Sequence, residues 1–292
     1  MPNIPSPVLV ARNAMATRFE FVLHGTNAVA LRAAAEEALD EVERLENLLS
    51  LYRPHTDIAR VNAGAAQGPI RVAPEVFHLL QRAFALSHAT DGAFDITAAP
   101  LIRAWGFVGG TGARPTTEEL AAARSAVGPA GVVFDEARFT VRFQRPGVQL
   151  DLGGIGKGYA LDRAAELLRE AGVTSALLHG GTSTVVGIGV PPDGEGWRIA
   201  LPNGETVSLR DESLSVSATW GKSFRDGGTT YGHVIDPRTG EPVTGERMAA
   251  VVVPSATDSD ALSTALLVLG DSASASLRSQ WPGLQAWVDN AP

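Results

Sequence analysis

The stretch Asp151-Leu-Gly-Gly-Ile-Gly-Lys-Gly-Tyr-Ala-Leu-Asp162 puts a carboxylate, a glycine-rich turn and a lysine within seven residues of one another. Glycines let a backbone approach a ligand closely, and the free N–H groups at a helix start favour phosphate, with Lys157 adding a point charge. The pattern is neither a GxxxxGK[ST] loop nor a GxGxxG fingerprint, and a plain strand-to-helix turn with a solvated lysine is the ordinary alternative. In Ser259-Asp-Ala-Leu-Ser-Thr-Ala-Leu, Asp260 and Thr264 are four apart, so on a helix they share a face. Their hard oxygens suit Mg²⁺, which takes few protein ligands. The alternative is a first-turn acid and a buried filler.

His233, in Tyr231-Gly-His-Val-Ile-Asp-Pro-Arg-Thr-Gly240, precedes a turn that could hold an imidazole as a general base; otherwise it is a strand histidine bonded to a carbonyl. Two weaker signals are Gly92-Ala-Phe-Asp-Ile-Thr97, suited to a base or a helix cap, and Gly180-Gly181-Thr182 at a strand end. His24, His55, His78 and His88 show no metal-ligand spacing, and no mechanism requires His179.

These residues need a scaffold, and the composition supplies one. The hydrophobic content of 45% against 19% charged residues allows a substantial core. A net charge of −8 excludes a nonspecific nucleic-acid binder, and the absence of cysteine excludes disulfides, thiolate nucleophiles and iron–sulfur clusters. No stretch approaches the ~20 apolar residues of a membrane span, and the first residues lack a leader pattern. The expectation is a cytoplasmic protein without a membrane anchor; a periplasmic protein whose leader had been removed would read the same way.

Alternation predicts a strand over 17–24, and apolar spacing of three and four from Leu31 to Leu49 predicts a helix over 28–51. Further helices are expected over 74–90, from a capping box at Thr116 and Glu119, over 157–171, and over 260–270. Strands are expected near 132–134, 138–143 and 148–152, then in quick succession from 175 to 218 and at 248–256, with a strand leading into a turn over 233–243. Early helices, many later short strands and no regular βαβ alternation indicate an α+β class, with a mixed, largely antiparallel sheet and flanking helices.

Taken in order, Met15-Ala-Thr, Ser50-Leu-Tyr52, Gly92-Ala-Phe-Asp-Ile-Thr, Asp151-Leu-Gly-Gly-Ile-Gly-Lys-Gly-Tyr, His179-Gly-Gly-Thr, His233-Val-Ile-Asp-Pro-Arg-Thr-Gly and Asp260-Ala-Leu-Ser-Thr resemble the successive motifs of the ApbE family of flavin transferases. The resemblance implies an ApbE-like domain over 15–292, of a length that also permits two packed lobes, preceded by an N-terminal extension at 1–14. It implies a magnesium-dependent transferase that splits FAD, releases AMP and joins FMN through a phosphoester to a threonine or serine of a target flavoprotein. Asp260 and Thr264 match the family's metal ligands, with Gly154 adding a backbone carbonyl. Met15, Tyr52, Ala93, Phe94, Asp95, Asp151 and Lys157 match positions that contact FAD, Gly180-Gly181-Thr182 belong to its flavin-binding region, and His233 matches the proposed base.

Three departures stand out: the usual GGD is Gly180-Gly181-Thr182, ATSGD is Ala218-Thr-Trp-Gly-Lys222, and MGT is Met15-Ala-Thr17. Besides transfer, two readings stay open: an FAD pyrophosphatase yielding FMN and AMP, and a flavin-binding protein without catalysis. No acceptor-like S/T-G-A-S/T segment occurs in the chain, so a partner flavoprotein is expected.

Overall fold

The structure, a computed structural model, describes residues 6–290. The chain runs through β1 (Val8–Ala14), β2 (Thr17–Leu23), α1 (Ala28–Leu49), α2 (Asp57–Gly64), β3 (Ile70–Arg71), α3 (Pro74–Ala89), α4 (Ala99–Ala104) and α5 (Thr117–Ser125). Next come β4 (Val132–Asp135), β5 (Thr140–Phe143), α6 (Gly156–Glu170), β6 (Ala176–Gly180), β7 (Thr184–Ile188), β8 (Trp197–Ala200) and β9 (Thr206–Leu209). The last elements are β10 (Ser213–Ala218), β11 (Ser223–Asp226), β12 (Thr229–Gly232), β13 (Arg247–Val253), α7 (Ala256–Leu269), α8 (Ser274–Gln280) and β14 (Gln285–Asn290).

Seven strands form one sheet in the order β1-β2-β6-β7-β10-β13-β14. Every neighbouring pair in it is antiparallel. Helices α1, α6 and α7 pack side by side, α1 against β1 and β2, α6 against β6 and β7, and α7 against β7, β10 and β13. Strand alternation divides the side chains between two cores. Val186, Ala249, Val251 and Val253 join the helices. Val185, Leu214, Met248, Ala250 and Val252 join Trp197, Val207 and Leu209 of the β8-β9 hairpin. A third cluster joins Leu101, Trp105, Phe107 and Ala123 to Ile235 beneath the β11-β12 hairpin.

The α+β expectation holds, and local differences have physical causes. Residues 8–14, expected as an extension, are an integral edge strand: β1 pairs with β2 from Val8↔Leu23 to Ala14↔Thr17. Val8, Val10 and Ala14 are buried, so this strand supplies core as well as edge, while residues 1–5 of the expected extension lie outside the described residues. The expected strand at 148–152 is a loop, tied instead by Asp151 N–H donating to Ile96 O at 2.8 Å. Residues 233–243 form the expected turn, but the strand before it is reduced to one isolated bridge, Ile235↔Pro242, because the Asp236 carbonyl accepts from the Gly240 N–H and closes the chain on itself. Helix α7 begins at Ala256, with Ser255 as its N-cap accepting from the Asp258 N–H. Asp258 is therefore the first-turn acid, and Asp260 lies inside the helix.

Candidate active site

The glycine-rich turn and α7 meet through a small set of bonds. Asp162 of α6 accepts from the Ala256 N–H at 2.7 Å, the Thr257 N–H at 2.9 Å, and the hydroxyls of Ser255 and Thr257 at 2.8 and 2.6 Å. This carboxylate completes the N-terminus of α7, satisfying donors that lack partners within the helix. In return, Asp260 of α7 accepts from the Gly158 N–H in the first turn of α6 at 3.1 Å. The two helices thus cap one another. A Cβ at residue 158 would lie 2.1 Å from the Ala256 carbonyl oxygen, so glycine is required for this approach.

Asp260 is 4% exposed, and its carboxylate is thinly supplied with donors. Besides the Gly158 N–H, it has the Thr184 hydroxyl at 3.5 Å and the Lys157 ammonium at 4.0 Å. A buried carboxylate with so few close partners is poised for a cation. Thr264, one turn further along α7, faces Gly154: a Cβ there would lie 3.4 Å from Thr264 Oγ1 and 3.3 Å from the Phe94 ring. Glycine keeps this space open. The carboxylate and the hydroxyl on one face of α7 are hard oxygens of the kind that suits Mg²⁺ when phosphate, water or a backbone carbonyl supplies the rest. Among the described residues no three His, Cys, Asp or Glu side chains cluster, so the donor set stays small.

Beside this corner opens a cleft with about 170 Å³ of solvent space, lined by Met15, Ala16, Glu46, Leu49, Ser50, Tyr52, Asp151, Gly153 and Lys157. Four of the residues predicted to contact a cofactor, Met15, Tyr52, Asp151 and Lys157, are brought together here. Met15 and Ala16 form the two-residue turn between β1 and β2, both in the left-handed region at φ 50° and 58°. The Asp151 carboxyl is pushed up from its ordinary range by burial, against the opposing pull of the Gly153 N–H and Lys157. Lys157 donates to the Gly153 carbonyl at 3.3 Å and is partly exposed to the cleft.

The other predicted residues have distinct places. Ala93 and Phe94 are buried, with Phe94 against Gly154. Asp95 turns inward and accepts from both the N–H and the hydroxyl of Thr97 at 2.7 Å; burial nevertheless raises its carboxyl above the usual range. It holds the 93–97 turn beside Asp151. Gly180 permits Leu161 to approach, a Cβ there standing 3.0 Å from Leu161 Cδ1, and Gly181 turns at φ 72° against Thr17. Thr182 is exposed and lines a second cavity, of about 250 Å³, with Val185, Ile199, Leu201 and Val216.

His233 stands on the turn after β12. Its Nδ1 lies 3.2 Å from the Lys222 carbonyl, and its ring centroid 6.5 Å from that of Phe107. A carbonyl only accepts, so Nδ1 carries the proton and Nε2 holds the lone pair. Burial lowers the imidazole pKa from 6.5, opposed by the Lys222 carbonyl.

The sequence reading passed over Thr184, Ser215 and Ser217, whose hydroxyls line the sheet side of α7. Ser215 Oγ lies 3.3 Å from Thr184 Oγ1 and 2.7 Å from Ser259 Oγ, while Ser217 Oγ lies 3.2 Å from Thr264 Oγ1. The signal for them was the serine at every second position of Ser213-Leu-Ser-Val-Ser217.

A family model described as the ApbE family matches residues 15–288. A protein named FAD:protein FMN transferase from Klebsiella pneumoniae is 32% identical over 249 residues, covering 82% of this chain and 76% of that protein. One of the same name from Treponema pallidum is 32% identical over 285 residues, covering 89% and 77%. The apo crystal structure of the Pseudomonas stutzeri flavinyl transferase ApbE superposes with a TM-score of 0.86 at 29% identity, covering all of this chain and 93% of that one. The chain belongs to the ApbE family.

Proposed function

We propose that the protein is an FAD:protein FMN transferase that splits FAD and joins FMN to a threonine or serine hydroxyl of a partner flavoprotein. The observation that carries this reading is the meeting of Asp260 and Thr264 with the glycine turn at 154–158, beside a cleft lined by Lys157, Asp151 and Tyr52.

Asp260, Thr264 and the Gly154 carbonyl would hold Mg²⁺, which when bound neutralises negative charge on the pyrophosphate. Lys157 binds phosphate oxygens electrostatically, and Tyr52, with Met15 and Leu49 beside it, offers an aromatic face to the flavin. Gly180, Gly181, Thr182, Ala93, Phe94 and Asp95 support the flavin side, the 93–97 turn through its tie to Asp151. His233 Nε2 takes the proton from the acceptor hydroxyl as that oxygen attacks the FMN phosphorus. The P–O bond to the bridging oxygen breaks, and AMP leaves with that oxygen. The only covalent change on the acceptor is therefore one new phosphoester bond.

Mass spectrometry after incubation with FAD, Mg²⁺ and a candidate acceptor protein tests the reading. An FMN adduct on the acceptor is expected, with one AMP released per adduct. AMP and free FMN without an adduct would show hydrolysis instead, and unchanged FAD would show binding alone. Among the described residues no helix is long and apolar enough to cross a membrane.

A further inference from the structure

Strand β10 presents Ser213, Ser215 and Ser217 to α7, where aliphatic side chains would ordinarily pack. Ser213 Oγ donates to the Val253 carbonyl at 2.8 Å and lies 3.1 Å from Ser259 Oγ. Ser215 bridges Ser259 and Thr184, and Thr184 reaches Asp260. At the far end Ser217 Oγ lies 2.8 Å from Ser263 Oγ and 3.2 Å from Thr264 Oγ1. Ser213 and Ser215 are buried, and buried hydroxyls cost free energy unless every one is bonded. The row ends on the two side chains that face the glycine turn, Asp260 and Thr264.

The contacts at its end give Ser217 its role. Ser263 and Thr264 each reach back to the Asp260 carbonyl, at 3.0 and 3.3 Å. Ser217 Oγ lies within hydrogen-bond distance of both hydroxyls, and either partner of each pair can donate. The strand thus braces the Thr264 side chain from the sheet side, opposite the space that Gly154 keeps open.

We propose that Ser217 is a positioning residue for the metal site, acting through Thr264 without itself serving as a ligand. This rests on Asp260 and Thr264 holding a cation. Partners of this kind orient ligands, and their loss typically weakens metal binding about 10- to 100-fold.

The test is titration of Mn²⁺ alone into the metal-free full-length protein, followed by electron paramagnetic resonance of the free ion. Ser217→Ala should raise the dissociation constant about tenfold, at the lower end of that range. In a Thr264→Ala background the same change should have no further effect, because the residue it acts through is gone. Ser213→Ala, at the opposite end of the row, should lower the melting temperature while leaving Mn²⁺ affinity at the parent value. FAD cleavage by Ser217→Ala should recover at high Mg²⁺, so the half-saturating metal concentration moves and the maximal rate does not. Parent-like Mn²⁺ affinity in Ser217→Ala overturns the inference, as does an additive loss in the double variant or an equal loss in Ser213→Ala. A parent protein that takes up no Mn²⁺ removes the metal site itself, and this inference with it. Transfer without any effect of Ser217→Ala leaves the site standing and removes only the role of Ser217.

Discussion

The Gly158 N–H donates to Asp260 Oδ2 at 3.1 Å, so one bond registers the first turn of α6 against the middle of α7. The carboxylate serves the fold with one oxygen and presents the other toward Lys157 and Thr184. A residue with this double duty separates structure from chemistry when its charge alone is changed.

Asp260→Asn keeps an oxygen that can accept from Gly158 and removes the negative charge. The folded state should persist, with a melting temperature near that of the parent, while metal-dependent FAD cleavage is lost. Chromatographic assay of AMP release with and without EDTA checks both halves. Full turnover by the parent in EDTA would remove the cation from the mechanism.

Much of this arrangement was legible in the sequence because it is local. The spacing from Leu31 to Leu49 placed α1, the capping box placed α5, and the i, i+4 relation brought Asp260 and Thr264 to one face. What escaped depends on partners distant in the chain. Ser213, Ser215 and Ser217 alternate with Leu214 and Val216, and alternation alone does not say what covers either face. The serines meet α7, while Leu214 and Val216 pack beneath the β8-β9 hairpin. Likewise, β1 shows little alternation in charge, and its place follows from pairing with β2. The reciprocal capping by Asp162 and Asp260 joins residues 94 and 102 positions apart, beyond the reach of any periodicity.

Ala16 occupies a left-handed conformation, φ 58°, at a position where the family pattern has glycine. An L side chain costs about 1–2 kcal/mol there, and part of that is offset because alanine restricts the unfolded chain more than glycine does. Ala16→Gly should therefore stabilise the protein by about 1 kcal/mol. Urea unfolding of the two proteins measures the difference, and a less stable variant would contradict it.

Asp151 sits where burial favours the neutral form of its carboxyl. A carboxyl whose folded-state pKa lies above the unfolded value opposes folding at neutral pH, and that penalty is relieved as pH falls through the folded pKa. Asp151→Asn should raise the melting temperature at pH 7, with a smaller gain in acid, and should weaken FAD binding. Its Oδ1 can still accept from the Gly153 N–H, so the turn is retained. Thermal unfolding across the pH range is the measurement, and a uniform loss of stability would assign the carboxylate to the fold.

Lys157 is partly exposed to the cleft, so its removal should discriminate between ligands by their phosphates. Lys157→Ala should weaken FAD far more than riboflavin, since a point charge acts on the pyrophosphate and not on the ring. Calorimetric titration of both ligands measures the ratio. Equal losses would return the lysine to a structural role.

His233 carries the sharpest pH signature. Its imidazole is held below the ordinary value of 6.5 by burial, so it is neutral and able to accept a proton throughout the neutral range. As pH falls through the lowered pKa, Nε2 is protonated and the base is lost. The single-turnover transfer rate of the FAD-saturated protein should therefore decline in acid with its midpoint below the ordinary imidazole value of 6.5. His233→Ala should still bind FAD and metal, transfer FMN about 10²- to 10⁴-fold more slowly, and lose that acid limb. Its fold should survive, because the Ile235↔Pro242 bridge and the Trp105 Nε1–H bond to the Gly240 carbonyl hold the turn without the ring. A parent-like rate in the folded, saturated variant would take the base role from His233. A slow variant that kept the same acid limb would assign that limb to another group.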